Sequence, residues 1–336
     1  MRAAVLSSTG GRLEAAVVDD PVPEPGQVVL RVTGCGICGS DLHIAAAMGR
    51  PGTILGHEIA GVVDEVGQGV DERWAPGTAV TVRPFASCGT CRFCRGGRPD
   101  HCVAFHLLGF TRPGGFAERV AVSADELYLL PASVTGPEQA LVEPLAVALH
   151  GLRRAGVDAG TPVAVLGAGP IGLATTAWAR ALGAGPVVVS DPVAPRRSLA
   201  TALGADVVVD PVTEDVAGAC ERAMGGPPTV VVECSGKPGM IDQAMQLAAV
   251  DGRVGVVGVC MAPDTFFPFT ALHKELDLRF ALYYDRQDFV DTLRALDDRS
   301  LAVDGLVTDV VGLDALPGIF AVLSARAESG KVIVTP

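Results

Sequence analysis

Cys88, Cys91, Cys94 and Cys102 follow the pattern C-x2-C-x2-C-x7-C, with Gly89, Gly96, Gly97 and Pro99 between them to let the loop turn tightly. Four thiolates so spaced can close a tetrahedron around Zn²⁺ with no open position, which holds a loop rather than doing chemistry. An iron–sulfur cluster is the competing reading, because thiolates serve both. A second set is dispersed: Cys38 in Gly36-Ile37-Cys38-Gly39-Ser40-Asp41-Leu42-His43, His57 and Glu58 in Gly56-His57-Glu58, and Glu143 in Val142-Glu143-Pro144. One thiolate, one imidazole and one carboxylate leave a fourth position for water or substrate, as a catalytic zinc requires, and they balance its charge. Spacing alone does not connect these positions. Taken singly, His57 is more often a satisfied buried histidine and Glu143 a helix-start acid favoured by the dipole.

The third signal is Gly167-Ala168-Gly169-Pro170-Ile171-Gly172, a G-x-G-x-x-G between the apolar run Val163–Leu166 and the helical run Leu173–Leu182. Gly167 permits the turn, Gly169 lets the backbone approach a pyrophosphate, and Gly172 lets helix and strand pack closely. The helix N-terminus offers free N–H groups to phosphate. Asp191 ends the next strand, Val187–Ser190, where a carboxylate accepts the ribose hydroxyls of NAD and repels the 2′-phosphate of NADP. Arg196 and Arg197 nearby could hold such a phosphate.

Elements must position these groups. The first third carries short β-branched runs, Arg2–Leu6, Glu14–Val18, Gln27–Val32, Ile59–Val66 and Thr78–Val82, separated by Gly and Pro turns. It reads as a β-rich, barrel-like domain. Glu138 to Ala155 is helical in spacing. Beyond it, Val163–Leu166, Val187–Ser190, Val207–Val209, Val230–Val232 and Val254–Val257 alternate with Ala-rich helical stretches. Continuous Val runs imply strands buried on both faces, and the alternation implies βαβ units in a parallel sheet. The pattern becomes irregular after about residue 285, and residues 330–334 form a last strand.

The 336 residues are 49% hydrophobic and 19% charged, which excludes intrinsic disorder. A net charge of −12 argues against a nucleic-acid partner. No run approaches the ~20 apolar residues that span a bilayer, and the first residues lack a signal-peptide core. A soluble, cytoplasmic protein is expected. Of its nine cysteines, six fall between Cys35 and Cys102, which points to metal rather than disulfides.

Together these segments, in this order and over nearly the whole chain, resemble the zinc-dependent medium-chain dehydrogenase/reductase superfamily, and within it the polyol, butanediol and threonine dehydrogenases. The resemblance implies a GroES-like β-barrel catalytic domain over 1–145 and 286–336, with a structural-zinc lobe at about 84–105, and a Rossmann NAD-binding domain over 146–285. It implies two Zn²⁺ per chain: a structural one on the four cysteines, and a catalytic one on Cys38 and His57. Glu143 stands where classical alcohol dehydrogenases have a cysteine, and Glu58 matches a glutamate that approaches the metal; both stay candidates for the third ligand. Asp41 matches an acid that orients the histidine. Pro170, Ile171, Arg196, Val257, Gly258 and Val259 join the glycines and Asp191 as expected cofactor contacts. The His43-to-His57 segment is shorter than in many polyol enzymes, so analogy weakens at the substrate pocket, for which Phe85, Phe105, His106 and Phe110 are candidates.

The expected reaction is hydride transfer between a secondary alcohol and NAD, with Ser40 on the alcohol oxygen and His43 passing the proton to solvent. One alternative is an NAD(P)H-dependent ketone or aldehyde reductase of a biosynthetic pathway. Another is a non-catalytic dinucleotide-binding sensor, against which the metal ligands count. The partners expected are a small-molecule alcohol or ketone and further copies of the chain, as a homodimer or homotetramer paired through the edge segment Leu278 to Tyr284.

Overall fold

A computed structural model describes residues 1–8, 11–47, 49–325 and 330–336. The chain divides into two compact units. The first takes Met1–Glu143 with Asp309–Ala327 and Lys331–Pro336; the second takes Pro144–Thr308 with Glu328–Gly330.

The first unit opens with β1 (Arg2–Leu6) paired antiparallel to β2 (Leu13–Val17). Next come β3 (Gln27–Gly36), α1 (Gly39–Ala47), β4 (Glu58–Val66), β5 (Ala79–Val82), β6 (Phe85–Ala86), α2 (Arg92–Arg95), β7 (His106–Leu107), β8 (Arg119–Ser123) and β9 (Leu127–Leu129). β3 is the hub. It pairs antiparallel with β4 and with β8, and its last residues pair with a strand from the chain's end. Alternate residues of these strands face one core: Leu30, Val32, Val63, Val80, Val120 and Val122 are buried there. The cysteine loop leaves and re-enters between β6 and β7, whose pairing of Phe85 with Leu107 and Ala86 with His106 closes its neck. Beneath that neck Arg83 is fully buried, bonded twice to Glu126 at 2.5 and 2.8 Å and lying over the Phe85 ring at 4.3 Å.

The second unit carries α3 (Val142–Ala155), which begins in the first, then β10 (Val163–Leu166), α4 (Pro170–Ala181), β11 (Val187–Ser190), α5 (Ala194–Ala202), β12 (Val207–Val209), α6 (Val216–Met224), β13 (Val230–Glu233), α7 (Met240–Leu247), β14 (Arg253–Val256), α8 (Pro268–Lys274), β15 (Asp277–Phe280) and α9 (Arg286–Asp297). Its six strands run parallel in the order β12-β11-β10-β13-β14-β15. This is the doubly wound arrangement, with the topological switch between β10 and β13, outside whose carboxyl ends ligands bind. The Val-rich runs of β10, β11 and β13 are buried throughout. Lys274 closes the end of α7, its ammonium donating to the carbonyls of Met245, Gln246 and Ala248 at 3.2, 2.6 and 2.7 Å.

The end of the chain supplies β16 (Val307–Val311), α10 (Leu316–Ala325) and β17 (Lys331–Val334). Leu313, Leu316, Phe320, Val332 and Val334 join the core of the first unit. The sequence expectation that the first domain resumes at residue 286 is corrected: the second unit continues to Thr308. The reason lies in α9. Phe289 is fully buried against Tyr284 (ring centroids 5.6 Å apart), and Asp288 ties the helix to α3 through His150 Nδ1 at 2.7 Å and Arg153 Nη1 at 2.7 Å. A second Asp, Asp285, exchanges capping bonds with Asp288 at the helix start.

Burial would raise the Asp288 pKa, but the His150 and Arg153 bonds outweigh it and hold the carboxyl below its usual range. A depressed carboxyl stabilises the fold above its unfolded-chain pKa of about 3.9, and that contribution is lost as the pH falls through the folded value. Asp288→Asn is therefore expected to cost about 1–3 kcal/mol at pH 7, with the difference from the parent narrowing below about pH 4. Denaturant melts of both proteins at the two pH values check this; a gap that ignores pH would contradict it.

Candidate active site

The pairing of β3 with β4 brings the dispersed ligands together. Gly36, last in β3, stands opposite Glu58, first in β4. Cys38 follows two residues beyond Gly36, and His57 immediately precedes Glu58. Ligand atoms of Cys38, His57 and Glu58 all lie within 4.8 Å of one another. A Cβ on Gly36 would fall 1.8 Å from Glu58 Oε2, so the close approach requires glycine there.

Asp41, on the first turn of α1 and fully buried, ties the two ligand segments to each other. It accepts from the Cys38 N–H at 2.9 Å and from the Gly56 N–H at 3.2 Å. Its Oδ1 also lies 3.4 Å from His57 Nδ1, close but without an aligned hydrogen bond. Burial disfavours a charged His57, yet Asp41 and Cys38 outweigh it and raise its pKa well above the usual value. Glu58 Oε2 is likewise buried without a hydrogen-bond partner. An orphaned carboxylate oxygen of this kind is costly unless something positive completes it. This pocket stabilises positive charge, and its sulfur, nitrogen and oxygen donors suit zinc.

Glu143 is buried on the first turn of α3 and stands outside that group of three. Its carboxylate still acts on Lys331, as does Cys38. Ser40 and His43 lie three residues apart on α1, a spacing that puts them on one face. Ser40 is half-buried and His43 exposed. Phe110 meets His57 edge-on at 5.5 Å, whereas Phe85 is a fully buried core residue packed on Phe105.

In the cysteine loop the Sγ atoms of Cys88 and Cys94 lie 4.0 Å apart, those of Cys91 and Cys94 3.5 Å, and those of Cys91 and Cys102 4.0 Å. A tetrahedron with Zn–S bonds of about 2.3 Å has edges of about 3.8 Å, and a disulfide needs about 2.05 Å. The four sulfurs match the first and not the second. They also leave no room for the many-atom core of an iron–sulfur cluster. Bonds from Thr90 and from the Cys91 N–H hold the Cys88 thiol down to about 6, while burial and the neighbouring thiols push Cys94 up to about 11.

At the carboxyl end of β10, Gly167 has φ +93°, and a Cβ there would strike Ser235 at 2.9 Å. A Cβ on Gly172 would meet Gly167 O at 1.8 Å. Gly169 differs: its Cβ would enter open space, with Arg196 at 3.9 Å its nearest neighbour. That open face, at the N-terminus of α4, is a cradle for a pyrophosphate. Asp191 Oδ2 accepts from the Ala168 N–H at 2.7 Å and Oδ1 from the Val193 N–H at 2.8 Å. Each oxygen keeps a lone pair for a ribose hydroxyl. Pro170 and Ile171 open α4, and Arg196 Nη1 is 3.9 Å from Asp191.

Two groups escaped sequence reasoning. Glu233, buried at the end of β13, accepts from Ser235 N, Ser235 Oγ and Gly236 N at 2.6, 2.5 and 3.0 Å, and its backbone carbonyl accepts from Val257 and Gly258, both at 2.9 Å. It thereby shapes the loop around Val257, Gly258 and Val259. The only hint was an acid closing an otherwise apolar Val run. Lys331 is the other: one of three lysines among 26 basic residues, it reads in the sequence as a solvent-facing residue at a strand start.

Comparison with known proteins agrees with this geometry. Residues 24–132 match the alcohol dehydrogenase GroES-like domain, and residues 170–298 the zinc-binding dehydrogenase family. The L-threonine 3-dehydrogenase of Pyrococcus horikoshii is 38% identical, covering 99% of this chain and 98% of its own. The 2-dehydro-3-deoxy-L-galactonate 5-dehydrogenase of Pseudoalteromonas atlantica is 35% identical, covering 93% and 92%. A zinc-binding dehydrogenase from Sinorhizobium meliloti, solved with NADP, superposes with a TM-score of 0.91 at 34% identity, over 100% of this chain and 99% of that one. With glycine turn, cysteine tetrad and thiolate–imidazole–carboxylate pocket all in place, the chain belongs to the zinc-dependent medium-chain dehydrogenases, alcohol-type oxidoreductases that use Zn²⁺ and NAD.

Proposed function

We propose that this enzyme oxidises the secondary hydroxyl of a diol, polyol or amino-alcohol with NAD, and that Cys38, His57 and a glutamate hold its catalytic zinc. The observation that carries this is the cluster of Cys38, His57 and Glu58, with the Glu58 Oε2 buried and unsatisfied. The substrate class follows from the relatives, which by their names act on threonine and on a deoxy-galactonate. A zinc held by these residues would supply Lewis-acid activation of a hydroxyl, and bound NAD would supply the hydride acceptor.

The chain's own residues do the rest. Asp41 fixes the two ligand segments. Ser40 accepts the hydrogen bond of the substrate hydroxyl and, as that proton arrives, passes its own on through the cofactor ribose toward His43, exposed on the same helix face, which releases it to water. Phe110 shields the His57 edge from solvent. The tetrad of Cys88, Cys91, Cys94 and Cys102 holds a second zinc that stiffens its loop. Asp191 favours NAD: its carboxylate would repel a 2′-phosphate, and the neighbouring Arg196, 3.9 Å away, is drawn toward that carboxylate.

Two coarser expectations complete the reading. No helix among the described residues is long and apolar enough to cross a membrane. With nine free cysteines, four of them gathered for metal, a reducing cytoplasm suits the chain. Among the described residues β15 pairs on one side only, and Phe280 and Leu282 near it are 59% and 55% exposed. An apolar edge of this kind needs cover, which we assign to the same strand of a second copy.

Four measurements test this. Reduction of NAD⁺ followed at 340 nm over secondary alcohols, diols, polyols, cyclitols and amino-alcohols should select one class, with NADP⁺ slower, and metal analysis should give two zincs per chain. One zinc confined to the tetrad, with silence over the whole panel, would favour a dinucleotide sensor instead. Ser40→Ala should lower turnover about 100-fold at neutral pH with both zincs retained; near-parental turnover would remove Ser40 from the proton path. Light scattering at micromolar concentration should give twice or four times the chain mass, and a monomer would refute the assigned strand pairing.

A further inference from the structure

At the carboxyl ends of β10, β13 and β14 the chain turns meet, and one buried side chain joins them. Glu233 closes β13 and is 1% exposed. Its Oε1 accepts from the Ser235 N–H at 2.6 Å, the Ser235 hydroxyl at 2.5 Å and the Gly236 N–H at 3.0 Å. Its backbone carbonyl accepts from the Val257 and Gly258 N–H groups, both at 2.9 Å. The turns after β13 and β14 also touch backbone to backbone. A Cβ on Gly236 (φ +64°) would fall 2.5 Å from the Val259 carbonyl oxygen, and one on Gly258 would fall 2.3 Å from Gly236 N and 2.5 Å from Glu233 Oε2. The glycine turn after β10 leans on the same loop, since a Cβ on Gly167 would strike Ser235.

A carboxylate so buried is costly unless it is hydrogen-bonded, and bonds to a charged acceptor are stronger than those to a neutral one. Here that strength goes into two turns at the mouth of the sheet. Their place says which part of a ligand they serve. Asp191, on β11, stands at the ribose of the adenosine half, and Gly169 at the pyrophosphate. In a doubly wound sheet the dinucleotide crosses the switch between β10 and β13, so its nicotinamide half lies on the side of β13 and β14. A loop already fixed in shape spares the ordering cost of binding. We propose that Glu233 is a positioning residue that pins the turns after β13 and β14 together as a preformed platform for the nicotinamide half of the dinucleotide, while the adenosine half is held without it.

The proposal rests on the reading of the glycine turn as an NAD site, and the two fail separately. Titration of the zinc-loaded protein with NADH, followed by its fluorescence, reports both halves of the dinucleotide; calorimetric titration with ADP reports the adenosine half alone. Glu233→Gln keeps the shape and removes the charge. It should bind NADH roughly tenfold more weakly and ADP within about twofold of the parent, with lower polarisation of the bound nicotinamide emission. Ser235→Ala deletes one bond to Oε1 and should shift the NADH affinity the same way by about threefold. Parental NADH binding in Glu233→Gln overturns the proposal. An equal loss of NADH and ADP also overturns it, since the glutamate would then only hold the unit together. If Glu233→Gln fails to fold, Ser235→Ala decides, and an unchanged ratio of NADH to ADP affinity there overturns the proposal. A parent protein that binds neither NADH nor ADP would instead overturn the cofactor reading beneath it.

Discussion

The site depends on one stretch of backbone pairing, where the end of β3 meets the start of β4 and the end of β17. These three strands come from residues far apart in the chain. Their hydrogen bonds fix Gly36 opposite Glu58 and Ile333 opposite Gly36. Side chains alternate across a strand, so a slip of one residue would send Glu58 to the opposite face. Every ligand distance therefore follows from register, and register follows from the apolar alternation of β3, β4 and β8 over one core. The absence of a side chain at Gly36 then makes room for the carboxylate.

The second unit works on a different principle. Its site is local: one strand, one turn and one helix follow one another without interruption from Val163 to Ala181. Gly167 and Gly172 are required by the turn's own geometry, and Gly169 by the space left for a ligand. Asp191 comes from the adjacent strand and bonds the Ala168 N–H, so the acid that meets the ribose also braces the glycine loop. One residue serves recognition and scaffold together.

This contrast explains what could be read from residues alone. The glycine turn and the cysteine tetrad were legible because their chemistry lies in short spacings. The Val runs of the parallel sheet were legible because burial on both faces leaves an unmixed pattern. Cys38, His57 and Glu143 could not be joined by spacing, since only long-range pairing relates the first two; resemblance supplied the link. The domain limit near residue 285 was misplaced because α9 is amphipathic like any surface helix, and its allegiance rests on Asp288 reaching His150 and Arg153. Lys331 was invisible for the same reason: a lysine at a strand start reads as a solvent residue until β17 is laid on β3.

The scarcity of lysine has a practical side. Lys331 is sealed within the first unit, and the Lys274 ammonium is occupied by three carbonyl groups at the end of α7. Lys237 is exposed, in the loop that follows the Glu233 carboxylate cage. Among lysine side chains, reagents that acylate amines therefore find a single ready target, and it adjoins the dinucleotide end of the sheet. Coupling this enzyme to a support through its lysines would give one orientation, with the cofactor entrance turned toward the matrix.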